Sequence, residues 1–325
     1  MDTFFLEDSA GYHHSVTEWN PNYHEDGLDE RATALLRSPV GRAFIAISAA
    51  TGFTPDQLTE PATALYIAAQ AADDIELYHT KIDRQKEMRF LREEAPRHFR
   101  LARQILTHPD AAWWFAPLDL HNQIWVSEDH SPPNQQPSEP SWIHSDPRRN
   151  LWAFITSTST ADTASMLAAV DLQICDIGYG YHEYASPPFA LWHMKPKLDA
   201  RIFEIDSPHA WHELCVNYRH RAKYPLQDIV YSDLDMDSYL EPDWSKVAED
   251  WDAVHLTLGG LLTSHQVAVK SKDFWTYHHG WDAEQTWWLR WVFTEHERLH
   301  DNTPTFQIKE ILEDKSIYRF MRGWT

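Results

Sequence analysis

The stretch that most constrains the fold is residues 280–293, which contain four tryptophans and two carboxylates in 14 residues. Aromatic and β-branched residues favour strands, and Gly280 marks a turn just before them. We therefore predict a buried strand near the end of the fold, with Asp282 and Glu284 at its start. A carboxylate beside indole rings is poorly solvated, so its charged form is disfavoured unless it has a partner.

The length and composition of the chain are those of a globular protein. Its 325 residues suffice for one large domain or two ordinary ones, and 43% are hydrophobic while 24% are charged. We expect no transmembrane helix, because no run of about 18 apolar residues occurs. The first residues also lack the basic and apolar regions of a signal peptide. These features predict a cytoplasmic protein.

The charge and the aromatic content narrow the classes of partner. A formal net charge of −21 opposes binding to a nucleic-acid backbone, since that binding depends on neutralising phosphates. The same charge is compatible with a basic protein partner. The 16 tryptophans are explained either as core residues or as stacking surfaces for a base or a sugar. Cys175 and Cys215 match no metal-ligand pattern and are expected to be buried thiols.

Changes in composition and periodicity divide the chain into four parts. These are a polar N-terminal segment, a helical domain, a proline-rich linker and an α+β domain, over residues 1–37, 38–126, 127–148 and 149–325. The linker has prolines spaced by Ser, Asn and Gln, which is typical of neither strand nor helix. Strand and helix signals alternate after it, so the predicted fold class is α+β, with a mixed sheet in the C-terminal domain.

Local signals place the elements within these domains. Ser38-Pro39 and Ser207-Pro208 each combine an N-cap with a first-turn proline, and Gly52 closes the first of these helices. Strands are predicted over residues 151–158, 201–205 and 253–258, the last ending at Gly259-Gly260. A final helix is predicted over residues 309–320.

One candidate site is the sequence His296-Glu297-Arg298-Leu299-His300, which matches H-E-x-x-H. On a helix, this spacing places two imidazoles on one face for zinc, with the glutamate as the general base. Glu310 or Glu313 would have to supply a third ligand. A zinc hydrolase is therefore one alternative function.

The other candidate site pairs a hydroxyl-rich strand end with Glu284. Thr156, Ser157 and Thr158 offer a ledge of hydrogen-bonding groups suited to a nucleotide. A carboxylate facing that ledge could stabilise an oxocarbenium-like centre, as carboxylates do in glycosyl transfer.

The order Arg148-Arg149, Ser157-Thr158-Ser159 and Glu284 resembles the R…STS…E pattern of ADP-ribosyltransferases. The resemblance implies that NAD is the substrate and that Glu284 is catalytic. It also implies that Arg149 contacts the NAD phosphate, and that the strand end, with the residues Thr156, Ser157 and Thr158, supports the NAD site.

Residues 149–293 also resemble an uncharacterised actinobacterial protein family. The resemblance is carried by Leu151-Trp152, by the Ile205-Asp206-Ser207-Pro208 helix start, and by residues 243–257 and 281–289. It implies no activity. The leading hypothesis is therefore an ADP-ribosyltransferase-like or other nucleotide glycosidic-bond enzyme that binds a nucleotide-type small molecule. A non-enzymatic protein-interaction module remains the second alternative.

Overall fold

The structure is a computed structural model. It describes residues 5–8, 13–15, 28–75, 93, 95–127, 130, 132–133, 154–158, 189–221, 239–271, 274–278, 281 and 284–299. Arg149, Cys175, Asp282, His300 and the predicted final helix lie outside these residues. The helices and the mixed and antiparallel sheets confirm the predicted α+β class.

Most helices lie on the N-terminal side of the predicted linker. The α-helices of the described residues are α1 Leu28–Arg37, α2 Pro39–Thr51, α3 Pro55–Thr59, α4 Pro61–Ile75, α5 Phe99–Leu106, α6 Pro208–Asn217, α7 Trp244–Asp250 and α8 Leu258–Ser264. Two short 3-10 helices, Ala95–His98 and Pro109–Phe115, flank α5. None of the helices in the described ranges combines the length and apolar composition needed to cross a bilayer.

Helix α2 shows how local sequence sets these boundaries. The Ser38 side chain accepts a hydrogen bond from the Gly41 N–H, Pro39 is the first helical residue, and Gly52 ends the helix with a φ of 68°. This left-handed backbone suits glycine, which has no Cβ to clash. The predicted start and end of the helix are confirmed, as is the Ser207 cap of α6.

The strands form three sheets. In chain order the strands are β1 Phe5–Asp8, β2 His13–Ser15, β3 Gln123–Ser127, β4 Phe154–Thr156, β5 Ala190–Pro196, β6 Ile202–Ile205, β7 Arg219–Arg221, β8 Tyr239–Pro242, β9 Ala253–Leu256, β10 Val267–Lys270, β11 Trp275–Tyr277, β12 Gln285–Trp288 and β13 Phe293–Arg298. The sheet orders are β2-β1-β10-β11-β8-β7, β4-β12-β9-β6 and β13-β5-β3. In the second of these, β12 runs antiparallel to both neighbours, whereas β9 and β6 are parallel.

The strand predicted in residues 280–293 is β12, and it is buried as expected. Trp288 is 0% exposed and Trp287 is 4% exposed. The chain bends after Leu289 and begins β13 at Phe293, so the predicted stretch supplies a short strand and the start of another.

One hydrophobic cluster includes residues from both sides of the predicted linker. Phe44 of α2 and Trp114 belong to it, together with Leu262 of α8 and Trp287 of β12. Residues of the N-terminal helices and residues after the predicted linker therefore belong to the same hydrophobic cluster. Helix α1 and strands β1 and β2 lie within residues 1–37, which were expected to be a polar segment. Most of the predicted linker lies outside the described residues, so that boundary stays a prediction.

Gly259 and Gly260 differ most from expectation. The strand ends before them, as predicted, and they lie inside helix α8, which was not predicted. A Cβ on Gly260 would lie 2.0 Å from the carbonyl oxygen of Ile205, so glycine allows the helix to pack directly on β6. Thr257, whose side chain accepts the Gly260 N–H, caps the helix.

Candidate active site

Strand register places a row of polar side chains across one face of the four-stranded sheet. His255 of β9 pairs with Glu204 of β6 on one side and with Thr286 of β12 on the other, and Thr286 pairs with Thr156 of β4. Directly paired residues on neighbouring strands share a face of the sheet. The four side chains therefore lie side by side. We call this set, together with Glu284, the polar row.

Glu284 joins the row from the residue just before β12. Its φ is 44°, in the left-handed region that non-glycine residues rarely adopt. Such a conformation costs on the order of 1–3 kcal/mol and tends to occur at functional sites. Only 3% of Glu284 is exposed.

The Glu284 carboxylate accepts hydrogen bonds from the end of β4. Ser157 Oγ donates to Oε2 at 2.6 Å, and the Thr158 N–H lies 3.1 and 2.9 Å from the two carboxylate oxygens. The Thr158 hydroxyl donates to Oε1. Ser157 and Glu284 are in direct contact, although they are 127 residues apart in sequence.

The donors on β4 are fixed in place by the three-stranded sheet. The Ser157 N–H donates to the Ile124 carbonyl at 3.0 Å, and the Ile124 N–H donates back at 2.8 Å. Asn122 Nδ2 donates to the Thr158 carbonyl at 2.5 Å. Because these hydrogen bonds to Asn122 and Ile124 hold the backbone, the two hydroxyls are presented to Glu284 without further ordering.

His255 connects Glu284 to a second carboxylate. Its Nδ1 lies 2.5 Å from Glu204 Oε2, and its Nε2 lies 3.3 Å from Glu284 Oε1. Burial lowers the pKa of His255, but hydrogen bonds to the two carboxylates and their negative charges outweigh it, and the pKa rises to about 9. At neutral pH the ring is therefore an imidazolium that donates from both nitrogens.

Glu204 is the part of the row nearest the surface. Its side chain is 28% exposed, against 4% for both His255 and Glu284. Its Oε1 accepts the Leu118 N–H at 2.9 Å. The row thus runs from a partly exposed carboxylate, through a buried imidazolium, to a buried carboxylate.

The three residues whose hydroxyls were predicted to bind a nucleotide, Thr156, Ser157 and Thr158, have different hydrogen-bond partners in the structure. Thr156 Oγ1 donates to Gln123 Oε1 at 2.5 Å and accepts the indole N–H of Trp288 at 2.8 Å, so it holds the two sheets together. Ser157 and Thr158 instead contact Glu284. Thr286 Oγ1 is fully buried and has no hydrogen-bond partner among the described residues. Arg149 lies outside those residues, so its predicted role is untested.

The zinc-hydrolase hypothesis was wrong about the geometry of its motif. His296 and Glu297 lie on strand β13, which pairs with β5, and both are exposed. Residues four apart share one face of a helix within about one turn, but in a strand they are separated by about 13 Å. Antiparallel pairing with β5, with one irregularity between Phe293 and Glu295, holds this segment as a strand. Within the described residues, no group of three or more His, Cys, Asp or Glu is arranged to hold a metal.

Sequence reasoning missed two members of the polar row. Neither His255 nor Glu204 was predicted to belong to a site. The available signal was that each is a titratable residue within an otherwise apolar strand, Ala253–Leu256 and Ile202–Ile205. Only the register shows that the two are neighbours.

The comparisons with known proteins return nothing for this chain: no protein-family model, no curated protein and no solved structure matches it.

Proposed function

We propose that the protein is an enzyme that acts at a nucleotide glycosidic bond, like an ADP-ribosyltransferase, with NAD as its substrate. The observation that carries the proposal is the contact of the Glu284 carboxylate with Ser157 and Thr158. This contact joins the STS and E parts of the R…STS…E pattern on which the resemblance rests. The left-handed backbone of Glu284 adds support, because strained residues concentrate at functional sites.

In this reaction, the bond between the nicotinamide nitrogen and ribose C1′ breaks. Its electron pair leaves with the nicotinamide and neutralises the charge on the ring nitrogen. Positive charge develops on the ribose, where the Glu284 carboxylate stabilises it. A nucleophile then bonds to C1′ and releases its proton to solvent. Before substrate binds, Ser157 and Thr158 hold the carboxylate in one orientation.

The hydrogen bonds of Glu284 determine how a substrate can engage it. A carboxylate offers about four lone-pair sites, and the Ser157, Thr158 and His255 donors already occupy these. A ribose hydroxyl that binds Glu284 therefore has to replace one of them. Ser157 and Thr158 are half-buried, whereas His255 is fully buried, so the replaced donor is a hydroxyl of β4.

The acceptor of the transferred group follows from charge. With a formal net charge of −21, the protein attracts basic surfaces and repels phosphate-rich ones. We propose a basic protein as the acceptor, with water as the alternative that yields hydrolysis. The cytoplasm, where NAD is available, is the compartment we propose.

The test is turnover of labelled NAD by purified wild-type protein and by Glu284→Gln. Glutamine keeps the size of the side chain but removes its charge and replaces one accepting oxygen with a donating NH2 group. We expect turnover to fall by about 10²–10³-fold, the usual effect of removing one transition-state stabilising group. Glu213→Gln is the matched control, because Glu213 is exposed on α6 and the same charge is removed. Equal turnover by Glu284→Gln and wild type would exclude Glu284 from the reaction.

A further inference from the structure

The polar row contains more charged groups than the proposed reaction uses. His255 contacts Glu284 and Glu204 contacts His255, yet the reaction as written requires neither His255 nor Glu204. Both are held on strands packed side by side, since Glu204 and His255 are direct partners in the parallel pair β6 and β9. Their geometry is therefore fixed by the sheet rather than by a mobile loop.

The environment of Glu284 explains why a cation is needed beside it. A carboxylate that is 4% exposed loses most of its hydration, so hydrogen-bond donors or an opposite charge must take the place of water. Neutral hydroxyl donors offset part of that loss. The imidazolium of His255, with Nε2 3.3 Å from Glu284 Oε1, supplies the opposite charge.

His255 has the same difficulty, because it is also 4% exposed and burial disfavours its own charge. Glu204 resolves this through a 2.5 Å contact with Nδ1. Among the described residues, Glu204 of β6 and Glu284, just before β12, are the titratable groups that act on the ring. Glu204 is itself held by the Leu118 N–H, and its side chain is partly exposed.

We propose that Glu204 and His255 are positioning residues for Glu284. Glu204 keeps the proton on His255, and the resulting imidazolium holds the Glu284 carboxylate in a fixed orientation. Glu204 contacts the ring from the opposite edge, so it acts on Glu284 only through His255. The role of Glu284 in catalysis rests on the proposed function, whereas the coupling of the three charges does not.

The coupling is tested by NMR titration of ¹⁵N-histidine-labelled protein, assigning His255 by its loss in His255→Gln. In wild type we expect the His255 ring to titrate near pH 9. In Glu204→Gln we expect the midpoint to fall by about one to three pH units, since one adjacent opposite charge is lost. Glu284→Gln should also lower it, and Glu213→Gln should not. An unchanged midpoint in Glu204→Gln would overturn the proposal.

A second readout separates positioning from a general structural role. If wild type turns over NAD, kcat should fall at alkaline pH, and Glu204→Gln should move that fall to lower pH while KM stays unchanged. Glu204→Asp should restore part of the difference, because it keeps the charge. A pH profile of Glu204→Gln that matches wild type would contradict the proposal. If wild type has no turnover, the proposed function fails, and the NMR titration still decides the coupling.

Discussion

The two faces of the four-stranded sheet contrast sharply. On one face, Val254, Leu256 and Trp287 join the main hydrophobic cluster, and Trp287 stacks on Trp281 at 4.0 Å between ring centroids. On the other face, the same strands carry Glu204, His255 and Thr286. Because successive side chains of a strand point to opposite faces, one short segment contributes residues to both faces of the sheet. The apolar face stabilises the fold, whereas the polar row places two carboxylates and a cation in a buried setting.

The cost of the polar row indicates its purpose. Moving an ion out of water costs several kcal/mol, and replacing a buried ion pair with apolar residues is often neutral or stabilising. The row also contains a left-handed glutamate and a hydroxyl that has no hydrogen-bond partner among the described residues. A face selected for stability alone would have none of these features. Its chemistry is therefore the reason that we assign function to this side of the sheet.

The largest effect on stability is expected on the apolar face. Trp287→Ala removes an indole that packs on Trp281 and Trp244, leaving a cavity. The free energy of unfolding should fall by about 3–5 kcal/mol, measured by urea denaturation. Trp287→Phe should cost less, because part of the volume remains. A loss below about 1 kcal/mol in the alanine variant would show that this face does not form the core.

The next largest effect is a pH dependence that belongs to the polar row. The folded pKa of His255, about 9, lies above its ordinary value of 6.5. A raised pKa stabilises the fold fully below pH 6.5, and this contribution is lost as the pH rises through 9. The difference corresponds to about 3 kcal/mol.

Unfolding of wild type and His255→Gln at pH 6.5 and at pH 9.5 measures this contribution. Wild type should lose more stability than the variant between the two pH values. Equal losses would show that His255 is not an imidazolium in the folded protein.

A smaller effect is expected from the donors to Glu284. Ser157→Ala removes one charge-assisted hydrogen bond of 2.6 Å, which should lower the free energy of unfolding by about 2 kcal/mol. The variant also frees one lone pair of the Glu284 carboxylate. The KM for NAD should therefore change more in Ser157→Ala than in an alanine variant of a distant serine. Ser207→Ala, which removes the cap of α6, is the comparison for stability alone. A Ser157→Ala protein as stable as wild type would argue against this contact.

The smallest expected change is a gain. Thr286→Val replaces a buried hydroxyl that has no partner among the described residues with a methyl group of the same shape. Removing an unsatisfied hydroxyl should raise the free energy of unfolding by about 1 kcal/mol in the absence of ligand. A loss instead would show that the hydroxyl is hydrogen-bonded in solution. Thermal unfolding of both proteins at one pH gives the comparison.

The parts of the fold that depend on residues close to one another in the sequence could be predicted from it. Ser38-Pro39 and Gly52 mark the ends of α2, because capping is decided within one helical turn. The buried strand at Gln285–Trp288 follows from its aromatic residues. Gly259-Gly260 were predicted only to end a strand, and their place inside α8 could not be predicted because it depends on the contact between α8 and Ile205.

The candidate site depends on contacts between distant residues, and only part of it was predictable. Ser157 and Glu284 were paired through a sequence resemblance, and they are in contact. His255 was not added, because its partners are set by the register of β9 with β6 and β12, which single-strand patterns do not reveal. The H-E-x-x-H match was misleading because a short motif does not determine whether its residues form a helix or a strand.

The central claim is that a nucleotide ribose binds at Glu284 on the polar face of the sheet. The most direct measurement is the ring ¹⁵N spectrum of His255 during titration with NAD, in wild type and in Glu284→Gln. Binding at Glu284 rearranges its hydrogen bonds, so the His255 Nε2 signal should shift with saturation in wild type and shift less in the variant. If NAD leaves this signal unchanged at concentrations that saturate turnover, its ribose does not bind at Glu284 and the account is contradicted.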